Sequence, residues 1–181
     1  MKRAVIGVLA WCMTALAAAA APDITGVPEH VVFLGPTAPV RVSAGHSSKV
    51  ALEFRVSPTF HINSNTPKSE LLIPTQLLLS PPSDTAIGQI RYPPGVDANF
   101  AFAPTETLSV YAGRFVITAV VSAARTAVPG KYRVHGTLKY QACDNRACYP
   151  PRQLPVEFDV NIQKSSLSAP RPSKPKGTHP Q

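Results

Sequence analysis

Three segments of the chain alternate between apolar and polar residues, and this period of two constrains the possible fold more than any other feature. In segments 49–56, 131–140 and 154–162, the even-numbered positions carry nearly all of the large apolar side chains. Because side chains of a β-strand point alternately to opposite faces, the pattern predicts strands with one buried face in antiparallel sheets. The 20 prolines among 181 residues also argue against long helices.

Shorter apolar runs, separated by pairs of proline and glycine, predict further strands. These candidates are 31–34, 40–43, 71–79, 87–92, 108–111 and 114–121. Eight or nine short strands with regular turns, in a region of about 140 residues, predict a single all-β domain. We therefore expect an immunoglobulin-like antiparallel β-sandwich.

The two ends of the chain differ in composition from the part between them. Lys2 and Arg3 precede an uncharged apolar run and a row of alanines, which predicts a secretory signal peptide over residues 1–20. Residues 164–181 are rich in proline, serine and lysine, so they predict a disordered tail. The folded domain is then expected to span 22–163, with no further apolar stretch of the roughly 20 residues that a membrane helix needs.

The positive charge of the chain is concentrated at these ends. The whole sequence has 18 basic and 10 acidic residues, and six of the basic residues lie outside 22–163. The domain itself is left with 12 basic against 10 acidic residues, which is close to neutral. The high isoelectric point is therefore no indication of nucleic-acid binding.

Cys143 and Cys148 are the two cysteines that remain once the segment carrying Cys12 is removed. In an exported protein, two cysteines so close together most simply form a disulfide. Closing such a small ring contributes only about 2 kcal/mol on the chain-entropy estimate. A pair that stabilises so little is suited to opening and closing, so thiol–disulfide exchange is the leading hypothesis. A structural disulfide stays open as the alternative, because most exported cysteine pairs are structural.

Charged and aromatic residues surround the pair in sequence. Arg146 could favour a thiolate, whereas Asp144 would oppose one, and we expect Tyr140 to position Cys143 as a core or edge aromatic residue. His61 is expected to hydrogen-bond a turn, with a role as a base near a thiol as the alternative. No metal site is predicted, because the histidines are scattered and no second cysteine pair exists. No organic cofactor is predicted either, because a dithiol itself carries two electrons.

The segment 139–151 resembles the cysteine loop of the N-terminal domain of the DsbD family of thiol:disulfide interchange proteins. In that family the pattern is roughly Y-Q-x-C, a short variable stretch and then C-x-P-P. The sequence F-H-I-N-S at 60–64, with Pro67, and the segments 92–95 and 110–113 are also similar to family segments. The resemblance extends over residues 27–162, and it implies a periplasmic, immunoglobulin-like sandwich that carries a redox-active cysteine pair.

The resemblance also implies roles for individual residues and partners. Cys148 would attack and form mixed disulfides, Cys143 would resolve them, and Phe100 or Phe102 would shield the pair as a cap. The expected partners are a thioredoxin-like donor domain or membrane electron transporter, and a periplasmic disulfide isomerase or similar thiol protein. The activity would be that of a protein-disulfide reductase. We expect separate partner molecules, because the chain shows neither the membrane domain nor the thioredoxin-like domain of the family protein. The alternative from another class is a non-catalytic protein-binding β-sandwich with a structural disulfide.

Overall fold

The computed structural model describes residues 28 and 30–165. The predicted signal peptide at 1–20, and all but the first two residues of the predicted tail at 164–181, lie outside the described residues. The described part forms twelve β-strands. It contains no helix with the length and apolarity needed to span a membrane. The strands are β1 (Val32–Leu34), β2 (Val40–Ser43), β3 (Ser47–Val56), β4 (His61–Asn63), β5 (Gln76–Ser80), β6 (Thr85–Arg91), β7 (Val96–Phe100), β8 (Ala103–Tyr111), β9 (Arg114–Ala123), β10 (Gly130–Tyr140), β11 (Ala142–Cys143) and β12 (Arg152–Gln163).

The strands form three sheets of four strands each. Two of them, in the orders β1-β3-β9-β6 and β2-β12-β10-β5, are the layers of an immunoglobulin-like β-sandwich. The third, in the order β11-β4-β8-β7, carries Cys143 and is called the site sheet below. Pairing is antiparallel except between β12 and β2, which are parallel. The predicted all-β sandwich is confirmed.

The alternating segments supply the core of the sandwich. On β3 the buried positions are the even-numbered residues from Val50 to Val56, as the sequence predicts. On β12 the even-numbered residues from Val156 to Ile162 are likewise the buried ones. Phe54 is fully buried and stacks on Phe115 of the neighbouring β9, with 5.4 Å between the ring centroids. Side chains from both layers thus meet in one apolar interior, to which the site sheet also contributes.

Parts of the strand prediction were wrong. Residues 71–79 were expected to form one strand, but β5 begins only at Gln76, and Leu71 lies 92% exposed in the preceding loop. Pro74 interrupts this run and has no N–H to donate to a ladder, which explains the late start. Strands β4, β7 and β11 were not predicted, because each is only two to five residues long and contains no run of large apolar side chains.

Candidate functional site

Cys143 and Cys148 are joined by a disulfide, with 2.05 Å between the Sγ atoms. Cys143 is fully buried, whereas Cys148 is partly exposed. The two sulfurs are therefore not equivalent towards an incoming thiol, and Cys148 is the more accessible.

The backbone holds the two cysteines opposite each other as an antiparallel bridge. On one side the N–H of Asp144 donates to the carbonyl of Ala147 at 3.0 Å. On the other side the N–H of Tyr149 donates to the carbonyl of Ala142 at 2.9 Å. The cysteines thus occupy a non-hydrogen-bonded position of the ladder, where opposing side chains come closest. This cysteine hairpin, residues 142–149, places the sulfurs side by side through backbone contacts that do not involve the S–S bond.

The Asp144 carboxylate organises the loop between the cysteines. Its Oδ1 accepts the backbone N–H groups of Arg146 at 2.7 Å and Ala147 at 3.0 Å, an arrangement typical of an aspartate in a turn. Its Oδ2 accepts the Tyr149 hydroxyl at 2.7 Å. These hydrogen bonds, the one from Tyr149 first, hold the pKa of Asp144 well below its usual range.

Arg146 was selected from the sequence as a charge that could favour a thiolate. In the structure its guanidinium lies 3.3 Å from Asp144 Oδ2, and its side chain is 84% exposed. The hydrogen bond to Asp144 raises the pKa of Arg146. The positive charge is thus paired with Asp144, which leaves less of it available to stabilise a thiolate.

The site sheet brings His61 next to the cysteine hairpin. Cys143 of β11 is directly opposite His61 of β4, and Ile62 of β4 is in turn opposite Tyr111 of β8. Directly opposed residues in a ladder have side chains on the same face, at a Cβ separation of roughly 5 Å. The pairing of β4 with β11 therefore places an imidazole beside the buried sulfur.

Both predicted cap residues stack on this imidazole. Phe100 ends β7, and its ring centroid lies 3.8 Å from that of His61, with an angle of 11° between the planes. The Phe102 ring lies 6.4 Å from the His61 ring and 5.7 Å from the Phe100 ring. We call these three rings the aromatic stack. Phe100 is the ring in direct contact with His61, and Phe102 lies further from the imidazole.

His61 is enclosed within this arrangement. It is 4% exposed, and its Nε2 has no hydrogen-bond partner among the described residues, so the expected hydrogen bond to a turn is not seen for this atom. Burial lowers the pKa of His61 to about 4, while the charge of Asp144 acts in the opposite direction. The imidazole is consequently neutral at neutral pH.

A hydrogen-bonded link that the sequence analysis missed ties the same region to the loop before β5. Gln141 Oε1 accepts Asn63 Nδ2 at 2.9 Å and the N–H of Ile73 at 3.1 Å. Asn63 is fully buried and also donates to the carbonyl of Ile73 at 3.0 Å. The polar residues inside the H-I-N-S and Y-Q-A-C segments were the available signal, since buried amides need partners.

Tyr140 lies in the hydrophobic core at the end of β10, where burial raises the pKa of its hydroxyl. It faces Arg152 across the ladder between β10 and β12. Within the described residues, no group of three or more histidine, cysteine, aspartate or glutamate side chains is arranged to hold a metal ion.

Comparisons with known proteins bear on the same region. A family profile described as "Thiol:disulfide interchange protein DsbD, N-terminal" matches residues 32–159, which is more than half of the chain and includes both cysteines. A search of curated proteins found no match.

Similar solved structures include three N-terminal domains. The DsbD N-terminal domain of Neisseria meningitidis in its reduced form is 19% identical, with 62% of this chain and 75% of that chain covered and a TM-score of 0.39. The N-terminal periplasmic domain of ScsB from Proteus mirabilis is 13% identical, with coverages of 72% and 44% and a TM-score of 0.43. The complex between the DsbD and PilB N-terminal domains of Neisseria meningitidis gives 20% identity, coverages of 61% and 73% and a TM-score of 0.38. The assignment to a family rests on the profile match, not on these structures.

Proposed function

The chain belongs to the family of DsbD N-terminal thiol:disulfide interchange domains, and from this premise we propose that it passes reducing equivalents between two sets of protein partners through Cys143 and Cys148. One observation carries the proposal. A bonded cysteine pair lies on a hairpin whose backbone holds both sulfurs together, with one cysteine buried and the other accessible. An accessible sulfur with a resolving sulfur beside it is what thiol–disulfide exchange requires.

In the first half of the proposed cycle a donor reduces the pair. A donor thiolate attacks Sγ of Cys148, the S–S bond breaks, and Cys143 leaves as a thiolate that takes up a proton. A second donor thiolate then attacks the donor sulfur of the mixed disulfide and releases Cys148. The donor dithiol becomes a disulfide, and the Cys143–Cys148 pair gains two electrons as a dithiol.

The second half transfers these electrons to a partner that contains a disulfide. The thiolate of Cys148 attacks one partner sulfur, and the other partner sulfur leaves as a thiolate. Cys143 then attacks Sγ of Cys148 and releases the reduced partner. The burial of Cys143 and the partial exposure of Cys148 support this order, because only an accessible sulfur can form the intermolecular bond.

Phe100 and Phe102 are proposed as the cap that shields the pair between reactions. Phe100 is the primary ring, because it stacks directly on His61 opposite Cys143. We place the domain in the periplasm, in line with its family and with the secretory signal predicted at 1–20. The proposed donor is a thioredoxin-like domain or membrane electron transporter, and the proposed acceptor is a disulfide isomerase or similar thiol protein.

A redox titration of the purified protein, with alkylation of free thiols at each potential, tests the proposal. The pair should open reversibly at potentials that dithiols of the thioredoxin type reach, at about −270 mV or above. A disulfide that stays closed to well below about −300 mV would be an inert structural bridge. That result would favour the protein-binding β-sandwich over the exchange domain.

Single cysteine variants test the assigned order of attack. C143S should accumulate a mixed disulfide with a thioredoxin-like protein through Cys148, because the resolving sulfur is missing. C148S serves as the matched control and should trap far less. Trapping only in C148S would reverse the two roles.

A further inference from the structure

The imidazole of His61 lies between the cysteine hairpin and the tip of β7 and β8, the two parts of the molecule that opening of the proposed cap would separate. On one side it is opposite Cys143 in the ladder between β4 and β11. On the other side it lies face to face with the Phe100 ring at 3.8 Å. Any displacement of the tip between β7 and β8 away from the cysteine hairpin would therefore break the contact between these two rings.

Purely structural packing does not account well for a histidine at this position. Its Nε2 is buried with no hydrogen-bond partner among the described residues, although a buried polar atom is ordinarily satisfied. An aromatic hydrocarbon side chain would fill the same stack without leaving such an atom unpaired. A displaced Phe100 would expose the ring of His61 and let water satisfy this atom.

We infer that His61 is a positioning residue that holds the Phe100 ring beside the cysteine hairpin by stacking on it, and that the neutral imidazole keeps the cap closed. The inference rests on the proposed function in taking the cysteine pair as the site of exchange and Phe100 as its cap. A closed cap requires His61 to stay buried and uncharged, whereas an open cap allows it to be solvated and protonated.

Acid should therefore favour the open form. The pKa of His61 is about 4 in the closed arrangement, against 6.5 for a solvated histidine. Because the open form binds the proton more tightly, lowering the pH from 7 to 5 shifts the balance towards it by up to about twentyfold. The titratable and charged groups on the surrounding elements are Asp144, Arg146 and Tyr149 on the cysteine hairpin, Asp97 on β7, and Glu106 and Tyr111 on β8. Of these, only Asp144 contributes to the shift of His61, and it raises the pKa.

The rate at which tris(2-carboxyethyl)phosphine reduces the disulfide measures access to the pair. The phosphine attacks one sulfur, and water then releases the dithiol and the phosphine oxide, so no partner protein is needed. Dividing this rate by that of a linear peptide of residues 140–151 removes the intrinsic pH dependence of the reagent. For the wild-type protein, this ratio should rise between about fivefold and twentyfold from pH 7 to pH 5. A change of less than about twofold would overturn the inference.

Two substitutions at His61 separate positioning from packing. H61F keeps a ring for Phe100 to stack on but cannot be protonated, so its ratio should stay low at every pH. H61A removes the ring on which Phe100 stacks, so the ratio of protein to peptide reduction rates should be high and independent of pH. An H61F variant with the same acid response as the wild type would assign the response to another group and refute the inference.

Further variants keep the test decisive if H61A does not fold, which circular dichroism would show. F100A removes the ring from the other side and should also give a high, pH-independent ratio. In this variant an NMR titration should show that the pKa of His61 has moved from about 4 towards 6.5.

The matched control is H135Q on β10, which replaces an exposed histidine paired with Glu157 and should keep the wild-type pH profile of the reduction rate. An unshifted His61 in folded F100A would contradict the inference. The phosphine assay reports access at any reduction potential, so its outcome is distinguishable from failure of the proposed function.

Discussion

Reduction of the Cys143–Cys148 disulfide should lower the free energy of unfolding only slightly. The two cysteines are five positions apart in sequence, so the bond closes a ring of very few residues. On the chain-entropy estimate, such a ring stabilises the folded state by about 2 kcal/mol relative to the open chain. A bridge that closed a ring of 100 residues would contribute more than twice as much.

The structure gives a reason why the loss should not exceed this value. Backbone hydrogen bonds flank the cysteine pair on both sides, and Asp144 binds the loop between them. None of these contacts involves the S–S bond, so the hairpin should persist as a dithiol. Most of the sandwich core comes from strands of the other two sheets, with Ile62, Tyr111 and Ala142 contributed by the site sheet, and none of this packing involves the S–S bond.

Urea unfolding of the oxidised and reduced protein measures the difference directly. The two curves should have the same m-value, because the same surface is exposed on unfolding, and their free energies should differ by about 2 kcal/mol. The reduction potential of the pair gives a second readout. Because the disulfide stabilises the folded state, the folded state must stabilise the disulfide by the same free energy. The folded pair should accordingly have a reduction potential about 45 mV more negative than the linear peptide of residues 140–151.

A C143A/C148A double variant is the control and should match the reduced protein. A loss of about 4 kcal/mol or more on reduction, or a clear fall in the m-value, would refute the reasoning. The bridge would then hold the domain together, and a cycle that opens it repeatedly would unfold the protein. Equal reduction potentials for the pair in the folded domain and in the linear peptide would also refute the reasoning, because the fold would then not stabilise the disulfide.

The remaining predictions concern the scaffold and the charge beside the pair. F54A should lower the free energy of unfolding by about 3–5 kcal/mol in urea, because it empties a fully buried site. G136A should cost about 1–3 kcal/mol in the same assay, because the added Cβ would lie within van der Waals overlap of the Leu78 carbonyl oxygen. D144N should speed alkylation of Cys148 in the reduced protein at pH 7 and low salt, because a negative charge that opposes the thiolate is removed.

Matched controls sharpen these three predictions. V116A removes an apolar side chain that is 41% exposed and should change stability far less than F54A. G130A would add a Cβ no closer than 3.4 Å to its nearest neighbour, so it should be better tolerated than G136A. D159N, on β12 and paired with Arg133, should leave the alkylation rate unchanged. Equal effects of a variant and its control would contradict the corresponding explanation.

Much of the scaffold could be predicted because the signal is local. The alternation on β3 identified its buried face residue by residue, since a strand repeats every two residues and needs no knowledge of its partner. The same locality made the bond between Cys143 and Cys148 predictable, because their separation leaves few other possibilities. The strand β5 was placed too early, because apolar content at Leu71 suggested burial where the chain forms an exposed loop.

The sequence by itself determined that this chain forms an antiparallel sandwich and carries a small cysteine ring, since both follow from neighbours along the chain. Only the tertiary structure decided which aromatic ring contacts His61, and that His61 lies opposite Cys143. These facts depend on the register between strands that are distant in sequence. Register follows from the packing of the whole sandwich, and no local pattern of residues encodes it.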